Sequence, residues 1–492
     1  MAAGPASIYK LLQLCYKQCM QSYFMSVVRT SLPALLIPLL ICSGCSLGML
    51  DTWSMGRLSG HTDTSSGPEK IESSASNSRP SSSSDQQNPP KVETEANRSG
   101  SSSMVADSIQ PRHVSTDLPG QSAPGPGFLS FTSADSAQSG LNDPSRRLVA
   151  GPSPDLTYHD AVLTEDVTWR GLVQVEGIVT VAPQATLSVE QGTVVRFGGK
   201  SDATGHGAYL LVYGRVVAKG LQEKPILFSS PFVQPSAGDW QGIVLLGSEK
   251  KNLLEHCRVE GAETGLDTSY SNIILKNVQF SRCLTGARFR DTIAITAGGG
   301  ASGCIVGFHL LDSEAELHDL SISGNRQGVI VERSSLYLSG GTFTRNDLEA
   351  LKITESRVRI DGGAFTANGT GLTFIAAQGS LTGARIWENA DFGILLKDSR
   401  VKVVGAEILK NGGTGIIVTD GKGTAWGNAI VGNGEFDLVN KGAEEFMAMG
   451  NWWGTADLAS IDKRIYDRHM DNGVGRVLYN PVLGGKPLSL HQ

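Results

Sequence analysis

The sequence predicts an all-β solenoid, a single coil of short parallel strands advancing 21–22 residues per turn, and three observations lead there. The first is an asparagine that recurs at Asn325, Asn346, Asn368, Asn389, Asn411 and Asn433, in steps of 21, 22, 21, 22 and 22 residues. The second is an apolar residue three positions before each one: Ile322, Phe343, Phe365, Ile386, Ile408 and Ile430. The third is the small or Gly-rich turn that usually follows, as in Asn411-Gly412-Gly413-Thr414-Gly415-Ile416. Projected backwards, the register falls on Cys304, Cys283 and Gly261, so that about nine units share it. A period near 22 is too short for helical-pair repeats, which need roughly 33–47 residues, and suits one turn of a strand coil.

Each turn divides into three short strands. In the first, alternate residues are expected to point inward: Phe308/Leu310, Val329/Val331, Leu351/Ile353, Leu372/Phe374, Ile394/Leu396 and Ile416/Val418. The second contributes Leu336/Leu338, Val358/Ile360 and Val401/Val403, and the third the apolar residue before each Asn. Turns stacked about 4.8 Å apart would lay like residues over like, and about 13 turns would make a rod roughly 60 Å long. Each Asn then sits at a turn where its amide can pair with backbone or with the Asn above or below. This ladder of Cys283, Cys304 and the six asparagines is read as structural. Cys283 and Cys304 sit in adjacent turns, close enough for a disulfide. Stacked side chains point in parallel, however, which favours two buried thiols.

The rest of the chain has different composition. Residues 25–45 join Arg29 to a short apolar run and end in Cys42-Ser43-Gly44-Cys45, the pattern of a secretory signal. The run is about half the roughly 20 apolar residues a spanning helix needs. Met25 begins a signal of normal length, so residues 1–24 read as an over-extended start. Residues 46–154 are rich in Ser, Gly, Pro, Asn and Gln and cannot bury enough apolar surface to fold, so a disordered tether is expected. Its 109 residues would span about 60 Å end to end as a flexible coil. The folded body is placed at 155–485. A net charge of -6 leaves no basic excess for phosphates, which argues against nucleic acid as a partner.

Several segments carry resemblances. The ending of the signal resembles a bacterial lipobox, with Cys42 in place of the usual Leu, which implies lipid acylation of Cys45. With Ser46 rather than an acidic residue next, an outer-membrane lipoprotein, periplasmic or surface-exposed, is expected. The run from Ala185-Thr186-Leu187 through Gly192-Thr193-Val194-Val195-Arg196-Phe197, Lys224-Pro225-Ile226-Leu227-Phe228 and Gly238-Asp239-Trp240-Gln241-Gly242 resembles bacterial right-handed parallel β-helix proteins. So does the closing Gly450-Asn451-Trp452-Trp453-Gly454-Thr455 followed by Tyr479-Asn480-Pro481. The resemblance spans roughly 160–485 and implies a right-handed coil of the carbohydrate-binding and sugar-hydrolase type, closed at its end by Trp452 and Trp453. A further resemblance is to the periplasmic copper-accessory β-helix proteins. It would imply clustered Met, His or Cys, whereas Met447 and Met449 have no His beside them and His256, His309 and His318 are scattered.

Candidate chemistry is thin. Gly205-His206-Gly207 is similar to the triplet of pectin-degrading β-helix hydrolases but lacks their acidic partners, and Tyr158-His159-Asp160 is only part of a uronate-epimerase motif. Glycoside hydrolysis needs two carboxylates facing one groove, and no repeat-related acidic pair occurs. No metal, cofactor or catalytic residue is assigned. The outward positions offer more: Arg357, Arg359, Arg400 and Lys402 project from second strands two turns apart, with Tyr337 on a neighbouring turn and Trp387 outward after Ile386. Cations beside aromatic rings suit an anionic polysaccharide. Arg288, His309, Ile330, Leu395 and Ile417 form a partly apolar outward stripe on the first strands, suited to cover by a loop or a partner. The function expected is a lipid-anchored, non-catalytic binding or scaffold surface for polysaccharide or an envelope protein. The alternative is a lyase, hydrolase or epimerase on the same coil.

Overall fold

The computed structural model describes residues 146–198 and 207–487. Cys45, the tether up to residue 145 and the Gly205-His206 pair lie outside the described residues. The body is a right-handed parallel β-helix of about 13 turns. In a typical turn the chain runs through Val306–Leu311, Glu314–His318 and Ser321–Ser323. The next turn lays Gln327–Glu332, Ser335–Ser339 and Thr342–Thr344 on these three, parallel and in register. Three parallel sheets result, called here the first, second and third in the order the chain visits them.

All the inward residues expected from alternation are buried, from Phe308 and Leu310 to Ile416 and Val418. One unbroken apolar column therefore fills the coil, and like side chains meet between turns: Phe343 stacks on Phe365 with ring centroids 4.7 Å apart. Burial at about 25 cal/mol per Å² makes this column the main stabilising term.

The corners explain why such a coil tolerates ordinary residues. Where the first sheet passes to the second, the turn is made by one left-handed residue, as at Asp312 (φ 49°), Arg333 (φ 45°) and Glu355 (φ 49°). The corner before each ladder Asn is made the same way, by Arg345 (φ 53°), Ala367 (φ 54°), Glu388 (φ 54°) and Lys410 (φ 54°). Each non-Gly residue there costs about 1 kcal/mol, and the hydrogen bonds that follow each corner offset it. Asn346 Nδ2 donates to Asn368 Oδ1 at 2.9 Å, and the Asn346 backbone N–H donates to the same oxygen at 3.0 Å. The second amide hydrogen goes to the Ile322 carbonyl at 3.2 Å. The same bonds link Asn325, Asn368, Asn389 and Asn411 to the next member in turn. Close approach demands glycine opposite the ladder: a Cβ on Gly393 would sit 2.8 Å from Asn411 Nδ2, and one on Gly415 would sit 2.6 Å from Asn433 Nδ2.

A second ladder has no counterpart in the sequence-based expectations. Ser313, Ser334 and Ser356 Oγ accept the backbone N–H of Thr292, Ser313 and Ser334 at 3.0–3.1 Å. Each also donates to the carbonyl two residues before it. A third, short ladder joins Asn428 to Asn451 at 2.9 Å.

Both ends depart from the plain coil. The strand array starts at Leu156, yet ordered chain lies against the body from Arg146, earlier than composition suggested. Leu148 forms an antiparallel bridge with Phe232. Arg146 makes a two-pronged pair with buried Asp239 at 2.6 and 2.7 Å and lies 3.9 Å over the Phe232 ring. At the other end Trp453 is buried beside Tyr479, Trp452 bridges to Ala429, and the short helix Leu458–Asp462 buries Ile461. Among the described residues no helix is long and apolar enough to cross a membrane.

Candidate functional site

The outward face of the second sheet carries most of the residues singled out above. In-register pairing stacks Glu316, Tyr337, Arg359, Ser380, Lys402 and Thr424 in one column. Two residues earlier in each strand, Glu314, Ser335, Arg357, Gln378 and Arg400 form a second. Arg357 and Arg400 are thus two turns apart, about 10 Å, as are Arg359 and Lys402. Each cation projects because its neighbours Val358, Ile360, Val401 and Val403 are inward and buried.

The cations differ in how engaged they are. Arg359 Nε contacts Asp361 Oδ2 at 2.8 Å, and its guanidinium lies 5.4 Å from the Tyr337 ring centroid. Arg357, Arg400 and Lys402 are exposed and have no carboxylate partner among the described residues. Such a group gives up no internal bond when an anion binds. Above Tyr337 the face turns acidic with Glu314 and Glu316. His318 lies 3.7 Å from Glu316 and edge-on to Tyr337 at 5.7 Å. Trp387 is not part of this face: it projects from the third sheet, half-buried, in line with Thr366 and Leu409. Its indole Nε1 is buried without a partner. The structure instead places Trp426 on the second sheet, opposite Val404, where sequence reasoning had no candidate. The inward residue beside it, Ala425, is too small to mark the strand in the sequence.

The outward stripe of the first sheet is largely spoken for. Arg288 and Arg290 pair with Asp267 at 3.6 and 2.9 Å, and His309 with Glu332 at 3.1 Å. Ile417 is only 5% exposed although it points outward.

A cleft of about 610 Å³ lies at the C-terminal end, lined by residues that include Asp462, Asp467, Arg468, His469, Arg476 and Tyr479. Its carboxylates are already engaged. Asp467 accepts the Val477 N–H at 2.8 Å, and the His469 N–H and Nδ1 at 2.9 and 2.5 Å. Burial pushes its carboxyl upward, but these hydrogen bonds outweigh it and hold the pKa below the usual carboxylate range. Tyr479 donates to Asp462 at 2.5 Å. Burial first, and that bond second, push its phenol up to about 12. Hydrolysis by paired carboxylates therefore has no free pair in the cleft. His159 and Asp160 are likewise engaged, with Glu176 at 3.0 Å and the Ile178 N–H at 2.8 Å. No group of His, Cys, Asp and Glu suited to a metal occurs among the described residues.

Cys257, Cys283 and Cys304 are free, buried thiols. Burial pushes the Cys257 thiol up to about 12. The Cys283 thiol is also pushed well up, by its hydrogen bond to Cys304 first and by burial second. The asparagine ladder ends upward on the Cys304 backbone N–H, 2.9 Å from Asn325 Oδ1.

Sequence comparison places the coil in a known class. Residues 306–451 match a right-handed β-helix region, and residues 161–271 match a pectate-lyase-like β-helix domain. The chain is a right-handed parallel β-helix protein. Among solved structures it is similar to the periplasmic alginate epimerase AlgG (13% identity, 65% of this chain and 76% of that one, TM-score 0.36). It is also similar to the Azotobacter vinelandii mannuronan C-5 epimerase AlgE6 A-module (14% identity, 64% and 91%, TM-score 0.32). A third is the bacteriophage CBA120 tailspike protein 3 (11% identity, 70% and 62%, TM-score 0.24). These likenesses concern the coil alone. No curated protein matches the sequence.

Proposed function

We propose that this protein is a non-catalytic envelope component whose second-sheet face binds an acidic polysaccharide laid along the coil axis. The observation that carries the reading is the set of unpartnered cations, Arg357, Arg400 and Lys402, repeated two turns apart on a flat, exposed sheet. A rigid coil fixes the spacing of these charges before binding, so little order is lost when a stiff polymer docks. The triple variant Arg357→Ala/Arg400→Ala/Lys402→Ala should lose retention on immobilised polygalacturonate and alginate by about ten-fold or more at low salt. Its unfolding free energy should stay within about 0.5 kcal/mol of wild type, because the three side chains are exposed. Full retention by the triple variant would remove the basis of the proposal.

Attachment by an acylated Cys45 completes the reading, on the strength of the lipobox-like ending. Cys45→Ser should abolish incorporation of radiolabelled palmitate and move the protein from the membrane pellet to the soluble fraction. Undiminished labelling of that variant would exclude the anchor.

A catalytic reading is favoured by one observation, the Asp467–His469 pair in the C-terminal cleft near Arg476. There His469 Nε2 would serve as a base oriented by Asp467, in a lyase or epimerase reaction on the same polymer class. New unsaturated ends or inverted uronates formed by wild type and lost in His469→Ala would establish it over the binding role.

A further inference from the structure

Trp426 is 62% exposed, and Met447 and Met449 beside it are 46% and 37% exposed. Among the described residues the other tryptophans are buried or half-buried. The patch continues the second-sheet face: Thr424 lies between Lys402 on one turn and Met447 on the next. Trp426 is therefore one turn and one outward position from Lys402, about 8 Å away. Its seat is shaped by Gly450 (φ 67°), where a Cβ would come 2.8 Å from the indole Nε1 and 3.0 Å from Cδ1. The pyrrole side of the ring thus rests on bare backbone, and any side chain at 450 would displace it. A large aromatic held in one orientation and left open to water, on a face that continues into unpartnered cations, is placed for a ligand rather than for the core.

We propose that Trp426 is a stacking platform for a pyranose ring, and that the ligand of the face is a polyuronate whose neighbouring carboxylates reach Lys402 and Arg400. This rests on the polysaccharide reading above and adds the chemistry of the repeating unit. A polymer needs both an apolar sugar face and an acidic group at close spacing to satisfy the indole and the cations together. Charge alone would leave the indole unused, and a neutral glycan would leave the cations unused.

The test is a titration of the full-length protein, followed by tryptophan fluorescence and by retention, with polygalacturonate, dextran and inorganic polyphosphate. Trp426→Ala should weaken polygalacturonate about ten-fold, remove the fluorescence change, and leave polyphosphate binding as in wild type. Arg400→Ala/Lys402→Ala should weaken both anions and lessen the salt dependence of each. Gly450→Ala should act like Trp426→Ala with the indole still present. Equal loss on both anions, or no loss on polygalacturonate, would overturn the platform while leaving the cationic face standing. If wild type itself binds no polyuronate, the underlying polysaccharide reading falls with it. A drop in self-association of Trp426→Ala in sedimentation, without a change in sugar binding, would assign the patch to a second copy of the chain and refute the proposal.

Discussion

Replacing Asn368 by Ala should cost about 3 kcal/mol of stability, although the side chain touches no candidate ligand. Asn368 is 2% exposed. Its Oδ1 accepts both the backbone N–H and the Nδ2 of Asn346, at 3.0 and 2.9 Å. Its Nδ2 donates to the Phe343 carbonyl and to Asn389 Oδ1, at 2.9 and 3.0 Å. Truncation therefore leaves two donors on the turn above buried without an acceptor, at about 1–3 kcal/mol each before relaxation, while Asn389 Oδ1 on the turn below keeps the backbone N–H of residue 368. Relaxation is limited because Gly371, opposite the ladder, leaves less room than a Cβ would need: one placed there would meet Asn389 Nδ2 at 3.1 Å. Urea unfolding should show the midpoint shift. Hydrogen exchange should show protection lost first in the turns that share the broken bonds, since each turn of a solenoid contacts only its neighbours. An unfolding free energy unchanged within about 0.5 kcal/mol would mean that water replaces the amide, and the ladder would then not be a stabilising element.

That ladder was readable because an Asn at intervals of 21 or 22 residues is rare enough to stand out, and because a buried amide needs a partner wherever the coil repeats. The serine ladder obeys the same logic through Ser313, Ser334, Ser356 and Ser399, yet serine is common and its corner residues vary between Asp, Arg, Glu and Ala. Periodicity cannot separate such a column from chance. The repeat register told which strand each outward residue belongs to, with Trp387 on the third beside Ile386, but not whether faces of different strands can serve one ligand. Trp387 was accordingly grouped with Arg357 and Lys402, though it projects from a different sheet. Trp426 escaped notice because its strand, Thr424–Trp426, has a single inward residue, Ala425, too small to register as core. The C-terminal cleft was invisible for another reason: Asp462, Asp467 and Tyr479 meet through non-repeating chain, where no period brings distant residues into line.

The lower end of the ladder sets up a sharper case. A run of asparagines passes its unmet hydrogen-bonding capacity from turn to turn, so the final member needs an acceptor that is not another repeat. Asp437, 2% exposed, supplies it: Oδ1 accepts the Asn433 backbone N–H at 3.1 Å and its Nδ2 at 2.8 Å. A buried carboxylate needs a counter-charge, and Arg464 provides it at 3.2 Å from Oδ2 while also donating to the Asn433 and Glu435 carbonyls. The ladder is thus closed by an ion pair that ties the last repeats to the C-terminal cap. Asp437→Ala should cost about 3–5 kcal/mol, because it strands a cation and two donors at once. Asp437→Asn keeps the Oδ1 acceptor and loses only the charge, so its cost should be about half as large or less. Arg464→Met should fall between them, since it leaves the carboxylate without its cation but fills the same space. Melting curves of the three variants would rank them. A cost for Asp437→Asn equal to that of Asp437→Ala would show that the charge, not the ladder's last acceptor, holds the cap to the coil.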